Sequence, residues 1–95
     1  MAWFTVETTY TTDRNKLAAA RPRHREYLRR LADEGRVTAA GPWADDTAGF
    51  VIYRVADRAE LDLLLAADPY TTEGVAAGRA VHEWKLVLGE WAEPR

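Results

Sequence analysis

Aromatic and β-branched residues alternate with polar ones along residues 3–10, as expected for a β-strand with one buried face. Phe4, Val6 and Tyr10 lie on one side of this segment, because successive side chains of a strand point to opposite faces. Residues 37–43 and 50–55 also have strand character, and the turn-forming sequence ADDTAG separates them, which predicts a hairpin. Residues 79–88 resume the pattern and predict a last strand.

The longest helical pattern follows the first strand. Its stripe of residues at helical spacing consists of Leu17, Ala20, His24, Tyr27, Leu28 and Leu31. Asp13 could cap a helix, but Pro22 interrupts the pattern because proline lacks a backbone N–H and restricts the residue before it. We therefore expect the main helix to begin at Pro22, and to end at residue 34 with Gly35 in the left-handed position that closes a helix.

A second helix follows the predicted hairpin. Asp57 and Glu60 match a capping box, and the apolar residues at helical spacing after them are Leu61, Leu64 and Leu65. Asp68 and Pro69 repeat the arrangement of a cap followed by proline. They predict a short extra helical turn that reaches Gly74.

These elements follow the order β-α-β-β-α-β, which is two β-α-β units joined by a hairpin. The order predicts an α+β, ferredoxin-like fold, with a four-stranded antiparallel sheet and both crossover helices on one face. The chain has 95 residues, a length typical of one domain. Because no linker or low-complexity tract is visible, we assign residues 1–95 to a single domain.

The predicted sheet has apolar residues on both faces. Phe50 and Ile52 face away from Val51 and Tyr53 in the third strand, and Trp84 with Leu86 and Leu88 faces away from Val81 and Val87 in the last. Two helices can cover only one face, and a solvated face would carry polar residues. We therefore expect a homodimer in which two sheets pack against each other, with two-fold symmetry.

Composition narrows the classes of function. The chain has 13 basic and 15 acidic residues and no cysteine, which disfavours nucleic acid as the main partner and excludes disulfides, zinc ribbons and thiol catalysis. Its N-terminus lacks a basic region followed by an apolar core, and no apolar run is long enough for a bilayer. We expect a cytoplasmic protein without a membrane partner.

Charge is unevenly distributed despite this balance. Residues 21–30 contain five arginines and one glutamate, Glu26. A solvated helix face explains such a run in the ordinary case. Nucleic-acid binding through this face is the alternative, and it predicts an affinity that falls steeply with salt.

Two residues are candidates for chemistry, and each also has a purely structural interpretation. His24 lies on the inner stripe of the main helix, and if Pro22 is the first helical residue, the positive end of the helix dipole disfavours its imidazolium form. A histidine there acts as a base or merely satisfies local hydrogen bonds. Asp68 is first of all a helix cap, but a carboxylate has acceptor directions left over, which could orient His24. His82 is a weaker candidate.

Several short motifs occur together in a fixed order: RPRH at 21–24, LADEGRVTAAGP at 31–42, LAADPY at 65–70, and then EGV and EWKL. In this combination the chain resembles the YCII-related (YciI-like) family over roughly residues 17–90. The resemblance implies a dimeric α/β barrel of ferredoxin-like subunits. It also implies an active-site pair formed by the histidine of RPRH and the aspartate of DPY, here His24 and Asp68.

The resemblance further implies proton-transfer chemistry. One branch of the family eliminates HCl from chlorinated hydroxymuconate-type acids, and similarly folded barrels isomerise muconolactones; both remove a proton activated by a nearby carbonyl or carboxylate. Such chemistry suits a histidine base held by an aspartate, with no metal or organic cofactor. On this hypothesis His24 is the general base, Asp68 orients it, Arg21 holds a substrate carboxylate and Tyr70 lines the pocket.

Two further points bear on that hypothesis. The segment at 43–49 is shorter than in many relatives, so a lid formed by it would be abbreviated and would exclude water less well. Trp43 is expected to substitute for it as a pocket wall. The leading interpretation is a lyase- or isomerase-type enzyme acting on a small unsaturated carboxylic or keto acid. The alternative is a non-catalytic dimer that binds a small ligand or a regulatory partner.

Overall fold

The computed structural model describes residues 1–92 of the chain. A four-stranded sheet is formed by β1 (Ala2–Tyr10), β2 (Val37–Pro42), β3 (Ala48–Val55) and β4 (Ala76–Trp84), with α1 (Arg14–Asp33), α2 (Arg58–Ala67) and the short α3 (Pro69–Thr72) between strands. The strands lie in the order β2-β3-β1-β4, and every neighbouring pair is antiparallel. The predicted α+β, ferredoxin-like βαββαβ arrangement is therefore confirmed.

Helix α1 differs from the prediction at its N-terminal end. It begins at Arg14 and continues through Pro22, so the expectation that Pro22 starts the helix is wrong. The Asp13 side chain caps it by accepting from the Lys16 N–H at 3.1 Å, and Leu17 and Ala20 are buried. Capping and burial offset the one backbone hydrogen bond that an interior proline removes.

This correction changes the environment of His24. The residue lies about three helical turns from the N-cap rather than in the first turn, and the dipole effect is confined to the terminal turn. The helix dipole therefore does not act on its imidazole in the way the sequence suggested. The other end of α1 is as predicted, because Gly35 has a φ of 79° after the C-cap Glu34.

Helices α2 and α3 begin as their sequences predict. Asp57 caps α2 by accepting from the Glu60 N–H at 2.9 Å, and Glu60 in turn accepts from the backbone N–H of Ala56 at 2.7 Å. Asp68 ends α2 and caps α3, where its Oδ1 accepts from the Tyr70 N–H at 2.8 Å. A buried aspartate is thereby fixed at the junction of two helices.

One face of the sheet forms the main core with α1 and α2. The strand residues of this core include Phe4, Val6, Val51, Tyr53 and Val55, and the helix residues Leu28, Leu31, Leu61, Leu64 and Leu65. A smaller cluster joins the start of α1 to α3 and consists of Tyr10, Leu17, Ala20, Tyr70 and Val75. This second cluster supports the region where α1, α3 and the end of β1 meet.

The opposite face of the sheet carries no helix, and we call it the open face. Trp3, Phe50 and Ile52 are partly buried there, and Trp84 is 38% exposed. Polar residues of β1 lie among them, so the face is mixed in character. No helix in the described part of the chain is both long and apolar enough to cross a membrane.

The last strand is displaced relative to the prediction of 79–88. It starts earlier, at Ala76, and ends at Trp84, so Leu86, Val87 and Leu88 are not part of the sheet. Trp84 pairs with Trp3, near the beginning of β1. Beyond this point almost no partner strand remains, which explains why an apolar run with strand character does not extend β4.

Candidate active site

The structure brings the two candidate residues into direct contact. Nδ1 of His24, from the middle of α1, lies 2.7 Å from Oδ1 of Asp68, at the α2–α3 junction. The His24 side chain is 13% exposed and that of Asp68 is 3% exposed. The carboxylate is thus enclosed, whereas the imidazole still reaches the surface of the fold.

Several donors surround the buried Asp68 carboxylate. Oδ1 accepts from the Tyr70 N–H as well as contacting His24, and Oδ2 lies 3.6 Å from Nη2 of Arg79. Arg79 is itself held by Thr8, whose Oγ1 accepts from Nε at 3.1 Å, and by Thr71. These hydrogen bonds and the ion pair offset the free-energy cost of burying the carboxylate away from water.

This arrangement sets the tautomer of His24. A carboxylate is an acceptor only, so the short contact requires that Nδ1 carries the proton and donates it to Asp68. The other ring nitrogen, Nε2, is then the basic one. The imidazole also stacks on the Tyr70 ring, with centroids 3.6 Å apart and an interplanar angle of 3°, so both its plane and its hydrogen bond are fixed.

Arg21 and Tyr70 are both beside His24, as the sequence suggested, but Arg21 is already engaged. Its Nε donates to the Tyr70 hydroxyl at 3.1 Å, and its Nη1 and Nη2 donate to the two carboxylate oxygens of Asp46 at 3.1 and 2.7 Å. The bond to Asp46 raises the pKa of Arg21, and the same bond lowers the pKa of Asp46. Arg21 therefore serves here as a link between α1, α3 and the hairpin.

Tyr10 completes the cluster of aromatic rings. It meets Tyr70 edge to face, with centroids 5.4 Å apart, and burial raises the pKa of its phenol, which keeps it a neutral donor. Gly49 lies directly against it, and a Cβ at that position would overlap the Tyr10 hydroxyl. The absence of a side chain at Gly49 allows the hydroxyl to sit over β3.

A cavity of about 470 Å³ opens beside this cluster. Helix α1 forms one wall through Arg21, His24, Arg25, Leu28, Arg29 and Ala32, and the sheet forms the other through residues 37–42 and 49–51, together with Tyr10 and Tyr70. Within residues 1–92, no aspartate or glutamate lines it. The site is therefore a concave, partly apolar pocket with cationic side chains on one wall, which suits a small anionic organic molecule.

Trp43 does not reach this pocket. Its ring stacks on Phe50 with centroids 5.4 Å apart, and its Nε1 donates to Oε2 of Glu7 at 3.4 Å. Glu7 belongs to the open face of the sheet, opposite the helices. The expectation that Trp43 forms a wall of the His24 pocket is wrong for this chain, because apolar packing on Phe50 draws the ring to the other face.

Three residues of the site were not identified from the sequence. Asp46 was interpreted only as a turn residue, and Arg25 and Arg79 were two arginines among many. The partners of Asp46 and Arg79 are distant in sequence, and the place of Arg25 on the pocket wall depends on the tertiary structure. Asp46 has a φ of 60°, which is typical of a turn residue. Its position in the turn does not indicate that its carboxylate binds Arg14 and Arg21 of α1. In the described part of the chain, no group of three or more potential ligand residues is placed to bind a metal ion.

Comparisons with known proteins agree with the fold. A sequence model described as the YCII-related domain matches residues 1–85, whereas no curated protein matches the chain. A similar solved structure is 5-chloro-2-hydroxyhydroquinone dehydrochlorinase (TftG) from Burkholderia phenoliruptrix AC1100, in complex with 2,5-dihydroxybenzoquinone. It has 22% sequence identity and a TM-score of 0.75, over 87% of this chain and 93% of that one.

A second similar structure is described as an antibiotic biosynthesis monooxygenase. It has 18% identity and a TM-score of 0.62, and the match covers 93% of this chain and all of the other. At these levels of identity both structures show a shared fold and nothing finer.

Proposed function

We propose that this chain, which belongs to the YCII-related domain family, is an enzyme that uses His24 as a general base on a small unsaturated carboxylic or keto acid. The observation that carries the proposal is the 2.7 Å contact between His24 Nδ1 and Asp68 Oδ1 at the wall of an open pocket. A base oriented by a buried carboxylate and facing a cavity is the arrangement that proton transfer requires.

In the proposed reaction, Nε2 of His24 removes a proton from a carbon next to a carbonyl or carboxylate group. The electrons of the broken C–H bond form a carbon–carbon double bond. In an elimination the neighbouring carbon releases a leaving group such as chloride together with the electrons of that bond, and the imidazolium passes its proton to water. In an isomerisation an existing carbon–carbon double bond of the substrate is displaced, and its electrons take up the proton from the imidazolium at another carbon. Asp68 holds the reactive tautomer and stabilises the imidazolium that forms. These steps need no metal and no organic cofactor.

The chemistry of the similar structure is compatible with this proposal. TftG is described as a dehydrochlorinase, and its bound 2,5-dihydroxybenzoquinone is a small planar carbonyl compound. The pocket beside His24 has a volume that accommodates a molecule of this size. Because the two chains share only 22% identity, the likeness suggests the reaction class and leaves the substrate of this chain open within the stated class.

The test exploits the fact that the chain has two histidines. A panel of unsaturated and keto carboxylic acids is incubated with the protein in D₂O, and loss of carbon-bound protons is followed by NMR. We expect wild-type protein and His82→Gln to catalyse exchange, since His82 is exposed on the open face. His24→Gln should reduce the rate by about 10²- to 10⁴-fold, the usual contribution of a positioned base.

The alternative is a non-catalytic domain in which the same pocket binds a small ligand. It is favoured by the bond between Arg21 and Tyr70, which would equally shape a binding site. Binding of panel members without any proton exchange, and equal binding by His24→Gln, would support this alternative. Exchange that persists unchanged in folded His24→Gln would contradict the proposal directly.

We also propose that the protein forms a homodimer through the open face. Phe50 and Ile52 are apolar, partly exposed and uncovered by any helix, and Trp43 and Trp84 extend the apolar area with exposures of 42% and 38%. A monomer would leave these rings in water. A second copy packed sheet to sheet would remove them from solvent with two-fold symmetry.

A further inference from the structure

We propose that Arg25, rather than Arg21, binds the carboxylate group of the ligand in the His24 pocket. The inference deepens the proposed function, and it rests on that function only where it relates carboxylate binding by Arg25 to proton transfer by His24. The binding itself follows from the distribution of charge around the pocket and can be tested separately from catalysis.

The pocket wall is cationic although the chain is not. Acidic residues outnumber basic ones by 15 to 13 in the whole chain, yet Arg21, Arg25 and Arg29 all line the cavity. No acidic residue among positions 1–92 shares the wall with them. A local excess of positive charge in a concave site favours an anionic ligand over a neutral one.

The three arginines differ in their partners. Arg21 is paired with both oxygens of Asp46, and Arg29 donates to Oε2 of Glu26 at 2.8 Å. The side chain of Arg25 has no hydrogen bond, ion pair or aromatic contact with any residue that the structure describes. Its five N–H donors are therefore available, and a guanidinium matches a carboxylate in a bidentate geometry.

The position of Arg25 also fits the proposed chemistry. It directly follows His24 on α1 and precedes Leu28 by one turn, and all three line the same cavity. A carboxylate held by Arg25 would bring the adjacent carbon near the imidazole, and the apolar part of the molecule would lie against Leu28, Val37 and Val51, which line the same cavity. The ligand class is thus a small monocarboxylate with a flat or branched apolar body.

The test uses benzoate as the probe, with neutral benzamide as its isostere, and measures dissociation constants by NMR titration of the backbone amides. We expect wild-type protein to bind benzoate more tightly than benzamide. Arg25→Gln should weaken benzoate binding about tenfold, in the range of one charge-assisted hydrogen-bonded contact, and leave benzamide unchanged. Arg25→Lys should fall between the two, because it keeps the charge but not the fork.

Arg29→Gln is the matched comparison, because it removes an equal charge from the same wall; since Glu26 already pairs with Arg29, this variant should weaken benzoate binding less than Arg25→Gln does. The inference is overturned if Arg25→Gln binds benzoate as wild type does, if Arg29→Gln loses the same affinity, or if wild-type protein shows no preference for benzoate over benzamide. His24→Gln separates the two proposals. Retained benzoate binding in that variant with lost exchange supports both, whereas retained binding with unchanged exchange contradicts only the role of His24 as base.

Discussion

At the scale of single residues, Asp68 combines two roles that sequence patterns treat separately. Its Oδ1 accepts from the Tyr70 N–H as a helix cap and also contacts His24 Nδ1, and Oδ2 is turned toward Arg79. A cap uses one acceptor direction of a carboxylate and leaves others for chemistry. The structural interpretation of Asp68 from its sequence and the functional interpretation therefore do not exclude each other.

This double role predicts different outcomes for two substitutions. Asp68→Asn keeps an oxygen that can cap α3 but removes the negative charge beside the imidazole, so proton exchange should fall well over tenfold with the fold retained. Asp68→Ala removes the acceptor of the Tyr70 N–H and of His24 Nδ1 together with the ion-pair partner of Arg79, and should lower the free energy of unfolding by about 2 kcal/mol or more. Urea denaturation and the exchange assay measure the two effects. Equal exchange rates in wild type and Asp68→Asn would contradict the assigned role.

A second residue-scale prediction concerns pH. The bond from Arg21 lowers the pKa of Asp46 in the folded protein, so this carboxylate adds stability above its ordinary pKa and loses that effect as the pH falls through its native pKa. The difference in urea midpoint between wild type and Asp46→Asn should be largest near neutral pH and shrink below about pH 4. Asparagine also tolerates the positive φ at this position. A difference that stays constant into acid would show that the Arg21 contact does not act through charge.

At the scale of elements, helix α1 shows where sequence signals compete. Pro22 is a strong local signal for a helix start, and it was overridden by the Asp13 cap and by burial of Leu17 and Ala20. The helix end at Gly35 was predicted correctly, because no tertiary contact competes with a glycine of positive φ. Local sequence signals therefore predicted the C-terminal end of α1 correctly. They failed at its N-terminal end, where burial of Leu17 and Ala20 favours a longer helix.

The continuous helix predicts an unusual gain of stability. Pro22 is exposed within α1, so Pro22→Ala would restore a backbone hydrogen bond and relieve the ring's clash with the preceding turn. We expect the free energy of unfolding to rise by about 1 to 3 kcal/mol, after allowing for the greater entropy of the unfolded chain. Thermal or urea denaturation would measure it. A neutral effect would be the result expected if the helix began at Pro22, and it would contradict the continuous α1.

The strands show a comparable limit. Residues 79–88 have the composition of a strand, but β4 ends at Trp84 because its pairing partner there, Trp3, lies next to the first residue of β1. At its other end, β4 starts at Ala76 because Tyr10 of β1 pairs with it. The sequence of a segment indicates its own strand propensity, but not the length of the strand that pairs with it in the sheet. The same limitation hid the contacts of Asp46 with Arg14 and Arg21, which join residues far apart in the chain.

At the scale of the whole molecule, the fold followed from the element order and the pairing of His24 with Asp68 was implied by the family resemblance, whereas the charge pattern of the pocket could not be predicted. Element order and motif order are local and sequential properties. Which arginine is engaged and which is free depends on tertiary neighbours, as the pairing of Arg21 with Asp46 shows. The side to which Trp43 turns likewise depends on its contact with Phe50 across the hairpin.

The proposed dimer makes a prediction at this scale. Ile52→Glu places a charge at the centre of the open face and should convert a dimer into a monomer, because a buried unpaired charge is strongly unfavourable. Leu63→Glu is the control, since Leu63 is 73% exposed on α2, away from that face. Sedimentation velocity distinguishes the two states. A wild-type protein that sediments as a monomer at micromolar concentration would contradict the proposal.

The proposed chemistry requires that Asp68 holds His24 with its proton on Nδ1, which leaves Nε2 as the base. Long-range ¹H–¹⁵N correlation NMR on the neutral imidazole measures this directly, because protonated and unprotonated ring nitrogens have well-separated chemical shifts. We predict that His24 shows a protonated Nδ1 and an unprotonated Nε2, and that this preference is weakened in Asp68→Asn. A His24 spectrum with the proton on Nε2 in the wild-type protein would show that Nε2 is not the base.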